Sequence, residues 1–565
     1  MRRRQFLKTL PVMVSGLSLA EAFHPGQVFG ATMHGVAATV HPLATKVALD
    51  TLKQGGNALD AAIAAGLMLG VVDGFNSGIG GGCFMVIRRA SGEMTIIDGR
   101  EMAPGTATRD MYLKEGKPMP DWSQTGALAP GVPGELAAFD FAQKQFGRLK
   151  LADVILPAAE IASKGFRVTP EYASRSASAV KALAKFPSSR KVFLKPDGGG
   201  WKLGDMLKQK DLASTYRAIA KEGVDWFYRG EFARLTGQWM KENGGIMTVE
   251  DLANYQAKVR EPLRTKYRGH EIIGMPPPSS GGVHVAQILN ILEHFDLANL
   301  GPNSVETYHL IIEAMKLAFA DRAWWLGDPD FVSVPRGLVS KTYAQELAGR
   351  IDRNRAGNVT SYSTPPDATT DIFGKHTTHF TVADAEGNWV ACTATINTTF
   401  GSKVVVPGTG VVLNNQMDDF SIQPGVPNAF GLLGNEANAV AAGKRPLSSM
   451  SPTIVLKDGQ PVFSIGAAGG PTIISQAVMG LIRYIDFGMM PQRILQQANV
   501  HHQWRPDEVK IEAKIGETII AGLKERGHKL KQMSSFGACQ AIAKTQSGGF
   551  QGMGDPRVHG KAEVL

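Results

Sequence analysis

The spacing of apolar and polar positions changes character near residue 377. Upstream the helical period dominates. Ala44, Val47, Ala48 and Leu52 recur at three- and four-residue steps and 58–65 continues the run, so 35–72 is predicted as helices. Asn76 to Gly82 reads as a loop. The alternating stretches 84–88 and 95–98 form a predicted hairpin about Ala90-Ser91-Gly92-Glu93. Helical patterns return from about 134 to 350, including Val305–Trp325. Residues 352–370, rich in Ser, Thr, Pro, Asp and Asn, predict a flexible link. Downstream the period becomes two. Residues 378–382 and Trp389–Thr395 read as strands joined by the turn Asp384-Ala385-Glu386-Gly387-Asn388. Short strands follow at 410–413, 453–456 and 462–465, then helices at about 472–484 and 491–499. Strands with helices before and after them predict two packed sheets with helices on both outer faces.

Composition narrows the class. The 565 residues are 43% hydrophobic and 20% charged, enough for a large core. The formal charge is +9, but Arg2, Arg3, Arg4 and Lys8 against Glu21 account for +3 of it. The remaining +6 carries no long basic run, so nucleic-acid binding is not expected. Cys83, Cys392 and Cys539 have no metal-ligand spacing and are expected to be small buried residues. Arg3-Arg4-Gln5-Phe6-Leu7-Lys8 ahead of the apolar stretch 9–20 fits a twin-arginine signal within residues 1–30. Ala20-Glu21-Ala22 and Phe29-Gly30-Ala31 offer small-x-small cleavage sites. The expected location is therefore the periplasm or beyond. No later run reaches about 18 apolar residues, so no membrane partner is expected.

The chemistry centres on Lys375-His376-Thr377-Thr378-His379-Phe380. A threonine at a strand start ordinarily reflects β-propensity, and an internal hydroxyl with no base is a poor nucleophile. If the peptide bond before Thr377 is cut, the new α-amine lies on the nucleophile's own residue and can serve as its base. Such an amine titrates near pH 8, about where a general base works best.

Five further motifs accompany it. Asp98-Gly99-Arg100-Glu101-Met102-Ala103-Pro104 lies upstream. Downstream come Thr395-Ile396-Asn397-Thr398-Thr399-Phe400-Gly401, Asn414-Asn415-Gln416-Met417-Asp418-Asp419-Phe420, Arg445-Pro446-Leu447-Ser448-Ser449-Met450-Ser451-Pro452-Thr453 and Gly466-Ala467-Ala468-Gly469-Gly470. In this order and spacing they resemble the γ-glutamyltransferase (γ-glutamyltranspeptidase) family of N-terminal-nucleophile hydrolases, over roughly residues 35 to 560. The resemblance implies an α+β fold, a four-layer αββα sandwich. It also implies self-cleavage between His376 and Thr377, giving a large subunit, 31–376, and a small catalytic one, 377–565, that stay associated. The implied activity is transfer of a γ-glutamyl group from glutathione and related compounds to water, amino acids or peptides, with no cofactor and no metal.

The resemblance also assigns residues, and their chemistry suits the assignments. Thr377 is the nucleophile and Thr395 its hydrogen-bond partner. Gly469 and Gly470 form the oxyanion hole, where missing side chains let N–H groups face the developing charge. Arg100 suits the substrate α-carboxylate through its forked guanidinium, with Ser448 and Ser449 adding hydroxyls. Asp419, Asn397 and Gln416 offer acceptor oxygens to the α-ammonium. Taken singly, these motifs also read as a turn, a surface ion pair, a solvated acidic pair and a polar turn.

Departures from the family pattern are visible. Gly466-Ala467-Ala468-Gly469-Gly470-Pro471 stands where Gly-Ser-Pro-Gly-Gly-Ser is more usual. Pro424 to Phe430 resembles the lid of some bacterial members, with Phe430 in place of a gating tyrosine. Asp73-Gly74-Phe75 differs from the usual approach to the glycine loop. Gly78-Ile79-Gly80-Gly81-Gly82-Cys83 imitates a dinucleotide loop but lacks the sixth glycine and reads as structural. His501-His502 has no third ligand at metal spacing and reads as packing or hydrogen bonding. Two rival functions remain: a glutaryl- or cephalosporin-type acylase on the same fold, and a non-catalytic periplasmic binding protein.

Overall fold

The computed structural model describes residues 35–366, 368 and 380–565. The predicted signal segment 1–30, His376 and Thr377 lie outside the described residues. Thirteen strands make the two large sheets: β1 (Gly35–Thr39), β2 (Gly82–Arg88), β3 (Met94–Gly99), β4 (Lys258–Arg260), β5 (Leu263–Tyr267), β6 (His270–Gly274), β7 (Thr381–Asp384), β8 (Trp389–Thr395), β9 (Thr453–Lys457), β10 (Gln460–Ala468), β11 (Ala538–Lys544), β12 (Phe550–Gly554) and β13 (Lys561–Val564). One sheet runs β13-β1-β7-β8-β2-β3-β4 and the other β12-β11-β10-β9-β6-β5. Every neighbouring pair is antiparallel.

The two-residue period of β2 explains the layering. Cys83, Met85 and Ile87 point into one core with α1 (Pro42–Lys53), α2 (Ala58–Val72) and α3 (Glu135–Phe146). Phe84 and Val86 point the other way, into a core shared with Ile272, Ile454 and Phe463 of the second sheet. That sheet is covered in turn by α5 (Ser280–Leu292), α6 (Val305–Trp325) and α7 (Thr472–Ile485), while α4 (Pro170–Leu183) packs beyond α2. The result is the expected αββα order. All fifteen residues of α2 are buried, and its N-terminus is closed by a capping box between Asn57 and Asp60.

Four expectations need correction. Residues 35–39 are not helical: they form β1, which lies inside the edge strand β13 of the larger sheet and pairs on both sides. The strand is Gly-Val-Ala-Ala-Thr, buried on both faces, so it shows no alternation. Helices dominate 134–350 as expected, but the unforeseen strands β4, β5 and β6 interrupt them. Residues 410–413 make only a bridge, Val405 to Val412, and no strand. Among the described residues of the predicted flexible link, several are pinned. Lys316 Nζ donates to the Gly357 carbonyl at 2.9 Å, Trp325 Nε1 to Ser363 at 2.8 Å and Trp504 Nε1 to Val359 at 2.9 Å.

Strand register sets the site. Thr395, the last residue of β8, pairs with Gly82, and Gly99, the last of β3, pairs with Cys83. Thr395 and Arg100 therefore sit at one end of the sheet, about 10 Å or two strand spacings apart. The second sheet delivers Gly469 and Gly470 directly after β10.

Candidate active site

A cavity of about 360 Å³ lies at that end of the sheets, lined by Arg100, Thr395, Asn397, Gln416, Asp419, Phe430, Ser448, Ser449, Gly469 and Gly470. These come from segments more than 360 residues apart in sequence. The tertiary fold thus brings together every predicted site residue that lies among the described ones.

Arg100 follows β3 and is fully buried. Its Nη2 donates to Asp419 Oδ2 at 2.6 Å and its Nε to the Pro446 carbonyl at 3.0 Å. Asp419 ends a short 3-10 turn, Gln416–Asp419, which also supplies Gln416 Nε2 to the same Oδ2 at 2.9 Å. With its amide oriented this way, Gln416 Oε1 is buried and has no hydrogen-bond partner among the described residues. An unpaired buried acceptor is costly, and here it lies beside a carboxylate. Together they form an acceptor pocket suited to a cation with several N–H donors. The adjacent guanidinium suits an anion.

Asn397 was expected to join this pocket. Its Nδ2 donates to the Asn415 carbonyl at 2.9 Å, which leaves Oδ1 as its acceptor end. Its N–H donates to Thr395 Oγ1 at 2.8 Å, so the Thr395 hydroxyl is held with its hydrogen free to donate elsewhere. Asn397 has φ 78°, a left-handed conformation that asparagine tolerates better than most residues.

Gly469 and Gly470 have φ of 127° and 59°. A Cβ on Gly470 would meet the Phe430 ring at 2.6 Å, and one on Gly469 would meet Thr472 Oγ1 at 2.6 Å. Both conformation and space exclude side chains there. The Thr472 hydroxyl donates to the Gly469 carbonyl at 2.8 Å and Gln476 Nε2 to that of Ala468 at 3.1 Å. The diglycine also precedes the first turn of α7, whose dipole favours negative charge.

Phe430 lies half-buried over Gly470. Its segment is tied down by adjacent carboxylates: the Ala429 N–H donates to Asp418 Oδ2 at 2.9 Å, and Asn428 Nδ2 reaches Asp419 Oδ1 at 3.5 Å. Asp418 is not the loop's solvated acid that its position suggested. It is buried, which raises its pKa.

Two charged groups here were not foreseen. Arg322, on α6, is buried and donates from Nε to Ser280 Oγ at 2.9 Å and from Nη2 to Ser449 Oγ at 3.2 Å. Burial lowers its pKa to about 10, which still leaves it charged at neutral pH, behind the serine pair. Glu101 is buried beside Arg100, and burial raises its pKa to about 8 despite the opposing Arg100 charge. Glu101 was within reach, since it stands inside a quoted motif. Arg322 gave no signal, because nothing in its helix points to a serine 127 residues downstream.

Other candidates resolve into structure. Cys83, Cys392 and Cys539 are free and buried. His501 bonds Ser475 Oγ at 2.6 Å and Gln503 at 2.9 Å, and His502 faces Asp507 at 3.2 Å. Around the glycine loop, a Cβ on Gly80 or Gly81 would strike the Val412 or Thr395 carbonyl at 2.0 and 1.9 Å, so the loop is a packing element under Thr395. His309, Glu313 and His528 cluster at ligand spacing. The cluster already holds an ammonium: Lys316 Nζ donates to Glu313 at 2.8 Å, while His309 Nδ1 and His528 Nε2 bond at 2.8 Å. No helix of the described residues is long and apolar enough to cross a membrane.

Comparison with known proteins agrees on one family. The profile described as Gamma-glutamyltranspeptidase matches residues 44–565. The chain is 43% identical to the Glutathione hydrolase proenzyme of Escherichia coli (strain K12), over 95% of this chain and 92% of that protein. It is 39% identical to the Acylase ACY 1 proenzyme of Pseudomonas sp. (strain SE83), over 92% and 91%. The crystal structure of cephalosporin acylase from Bacillus halodurans superposes with a TM-score of 0.85 at 30% identity, covering 98% of this chain and 99% of that one.

Proposed function

The chain belongs to the γ-glutamyltranspeptidase family, and from that premise we propose that it is a self-cleaving γ-glutamyltransferase and glutathione hydrolase. The observation that carries the reading is the acceptor pocket of Asp419 and the unpartnered Gln416 Oε1, set against the Arg100 guanidinium. A γ-glutamyl group ends in a free amino acid. Its ammonium can replace Arg100 on Asp419 and satisfy Gln416, while its carboxylate takes the released guanidinium and the Ser448 and Ser449 hydroxyls. One zwitterion thus exchanges for one internal ion pair, and no charge is left buried alone.

Maturation begins when the Thr377 hydroxyl attacks the His376 carbonyl, giving an ester that water resolves. The products are a large subunit, 31–376, and a small one, 377–565, preceded in the precursor by the signal segment 1–30. The twin arginines ahead of the apolar stretch support export to the periplasm. In the mature enzyme the Thr377 amine takes the hydroxyl proton as Oγ attacks the γ-carbonyl carbon. The tetrahedral oxyanion is met by N–H groups of the Gly469-Gly470 segment, and Thr395 orients the nucleophile. The C–N bond then breaks, the leaving amine takes the proton, and a γ-glutamyl ester remains on Thr377. Water or an acceptor amine attacks that ester and returns the proton to the threonine. The side chains in these roles need no metal or cofactor.

The curated relatives include acylases, so the rival reading has support. Asp419 with Gln416 favours the γ-glutamyl donor, because a glutaryl group brings a carboxylate with no ammonium and leaves the acceptor pocket unmatched. Relative kcat/KM on γ-glutamyl- and glutaryl-p-nitroanilide separates the two, and a preference for glutaryl refutes our reading. A denaturing gel with N-terminal sequencing of the smaller fragment tests maturation. Sequence starting at Thr377 is expected, and a single uncleaved band favours a binding protein.

A further inference from the structure

The cavity extends past the groups that the proposed reaction uses. Its remaining wall carries Asp73 and Asn76 from the loop after α2, Glu171 and Arg175 one turn apart on α4, and Thr399. The turn from Thr395 to Thr399 joins this wall to the reacting end. The Ile396 N–H donates to the Asn76 carbonyl at 2.9 Å, and Arg175 Nη1 reaches Thr399 Oγ1 at 3.4 Å. A γ-glutamyl amide held by its α-carbon at Arg100 and Asp419 presents its carbonyl near Thr395. Its amine portion then points away from Arg100, toward the second wall.

Arg175 is poised for that portion. Its side chain is 46% exposed, and its Nε is held by Glu171 Oε1 at 2.6 Å. Nη2 makes no hydrogen bond among the described residues. Nε and Nη1 are thus held and directed, and Nη2 is open. A guanidinium held this way can donate from Nη2 to a carboxylate, and its anchoring reduces the ordering cost of binding. Asp73 completes the wall. Burial pushes its carboxyl up to about 8, opposed by the Asn76 hydrogen bond, and this rise weakens its repulsion of an anion.

We propose that Arg175, with Thr399, is a specificity-determining grip for a terminal carboxylate on the amine partner, whether the leaving peptide of the donor or an incoming amino acid or short peptide. This rests on the γ-glutamyl transfer reading and names its second substrate class. Glutathione fits, because the portion it releases ends in a free carboxylate. An amine without a carboxylate gains nothing from Arg175.

The test uses the processed enzyme and within-enzyme ratios. We compare kcat/KM for glutathione with that for γ-glutamyl-p-nitroanilide, whose leaving group has no carboxylate. We then compare glycylglycine with glycinamide as acceptors. Arg175→Ala is expected to lower both ratios about fivefold, with Arg175→Lys restoring part of each. Unchanged ratios, or equal losses on the carboxylate and non-carboxylate partners, overturn the proposal. Failure of the parent enzyme to turn over either γ-glutamyl compound overturns the underlying reading instead.

Discussion

The two walls of the cavity bind charge in opposite ways. At the Arg100 wall the guanidinium is fully buried, its Asp419 partner has only 11% of its side chain exposed, and the main-chain carbonyls of Pro446 and Leu447 accept two of its four side-chain hydrogen bonds. At the Arg175 wall the corresponding guanidinium is nearly half exposed and held only by Glu171 and, more weakly, Thr399. Removing a partner from a buried pair strands a charge, whereas removing one from an exposed pair returns it to water. The first wall is therefore built to select strictly and the second to prefer. Such a division suits an enzyme with a fixed donor head group and varied amine partners.

The sharpest way to break this contrast is at Asp419. Asp419→Ala strands Arg100 and is expected to cost about 4 kcal/mol, roughly 1000-fold in kcat/KM for γ-glutamyl-p-nitroanilide. The glutaryl anilide, which offers nothing to Asp419, should lose far less. Equal losses on both would show that the Arg100 wall does not read the ammonium.

The diglycine lines the same cavity. Gly470→Ala must accommodate φ 59° and displace the Phe430 ring. Loss of oxyanion alignment should lower kcat by about 100-fold, or about 3 kcal/mol, with KM little changed. A KM effect alone would place Gly470 in binding rather than in stabilising the transition state.

pH sharpens the contrast within the buried wall. Glu101 has a pKa raised from 4.5 to about 8, chiefly by burial. The unfolded chain gives up this proton first, so the folded state binds more protons between pH 4.5 and 8. The group's penalty is absent below 4.5 and grows as pH rises toward 8. Glu101→Gln should remove about 1 kcal/mol per pH unit from the slope of unfolding free energy across that window, measured by denaturant titration. No change in slope would mean that Glu101 is ionised in the fold. The smallest effect is the fivefold shift expected from Arg175→Ala at the open wall.

Much of the architecture was legible where local pattern and environment agree. The hairpin of β7 and β8 announces itself through alternation and an Asp-x-x-Gly-Asn turn, and Val305–Trp325 is a helix over the predicted span. Prediction failed where burial erased the period or where strands were brief and set among helices. β1 is small and apolar on both faces, and β4 to β6 are brief strands between helices. The cavity residues were found through motifs, while Glu171 and Arg175, an i,i+4 pair on a helix, belong to no motif. Their place on the cavity wall depends on Thr399, 224 residues away.

The order of residues alone offered the chemical vocabulary: a threonine whose own α-amine would serve as its base if the bond before it were cut, a diglycine whose N–H groups no side chain covers, and an arginine and an aspartate able to meet the two charges of an amino acid. These follow from what each side chain can do. Only the tertiary structure decided which charges are buried and how they are wired. It paired Arg100 with Asp419, put Arg322 behind Ser449, left Gln416 Oε1 without a donor and kept Arg175 at the open rim. The reason is that burial and long-range hydrogen bonding arise from the packing of segments hundreds of residues apart, and no local pattern carries that information.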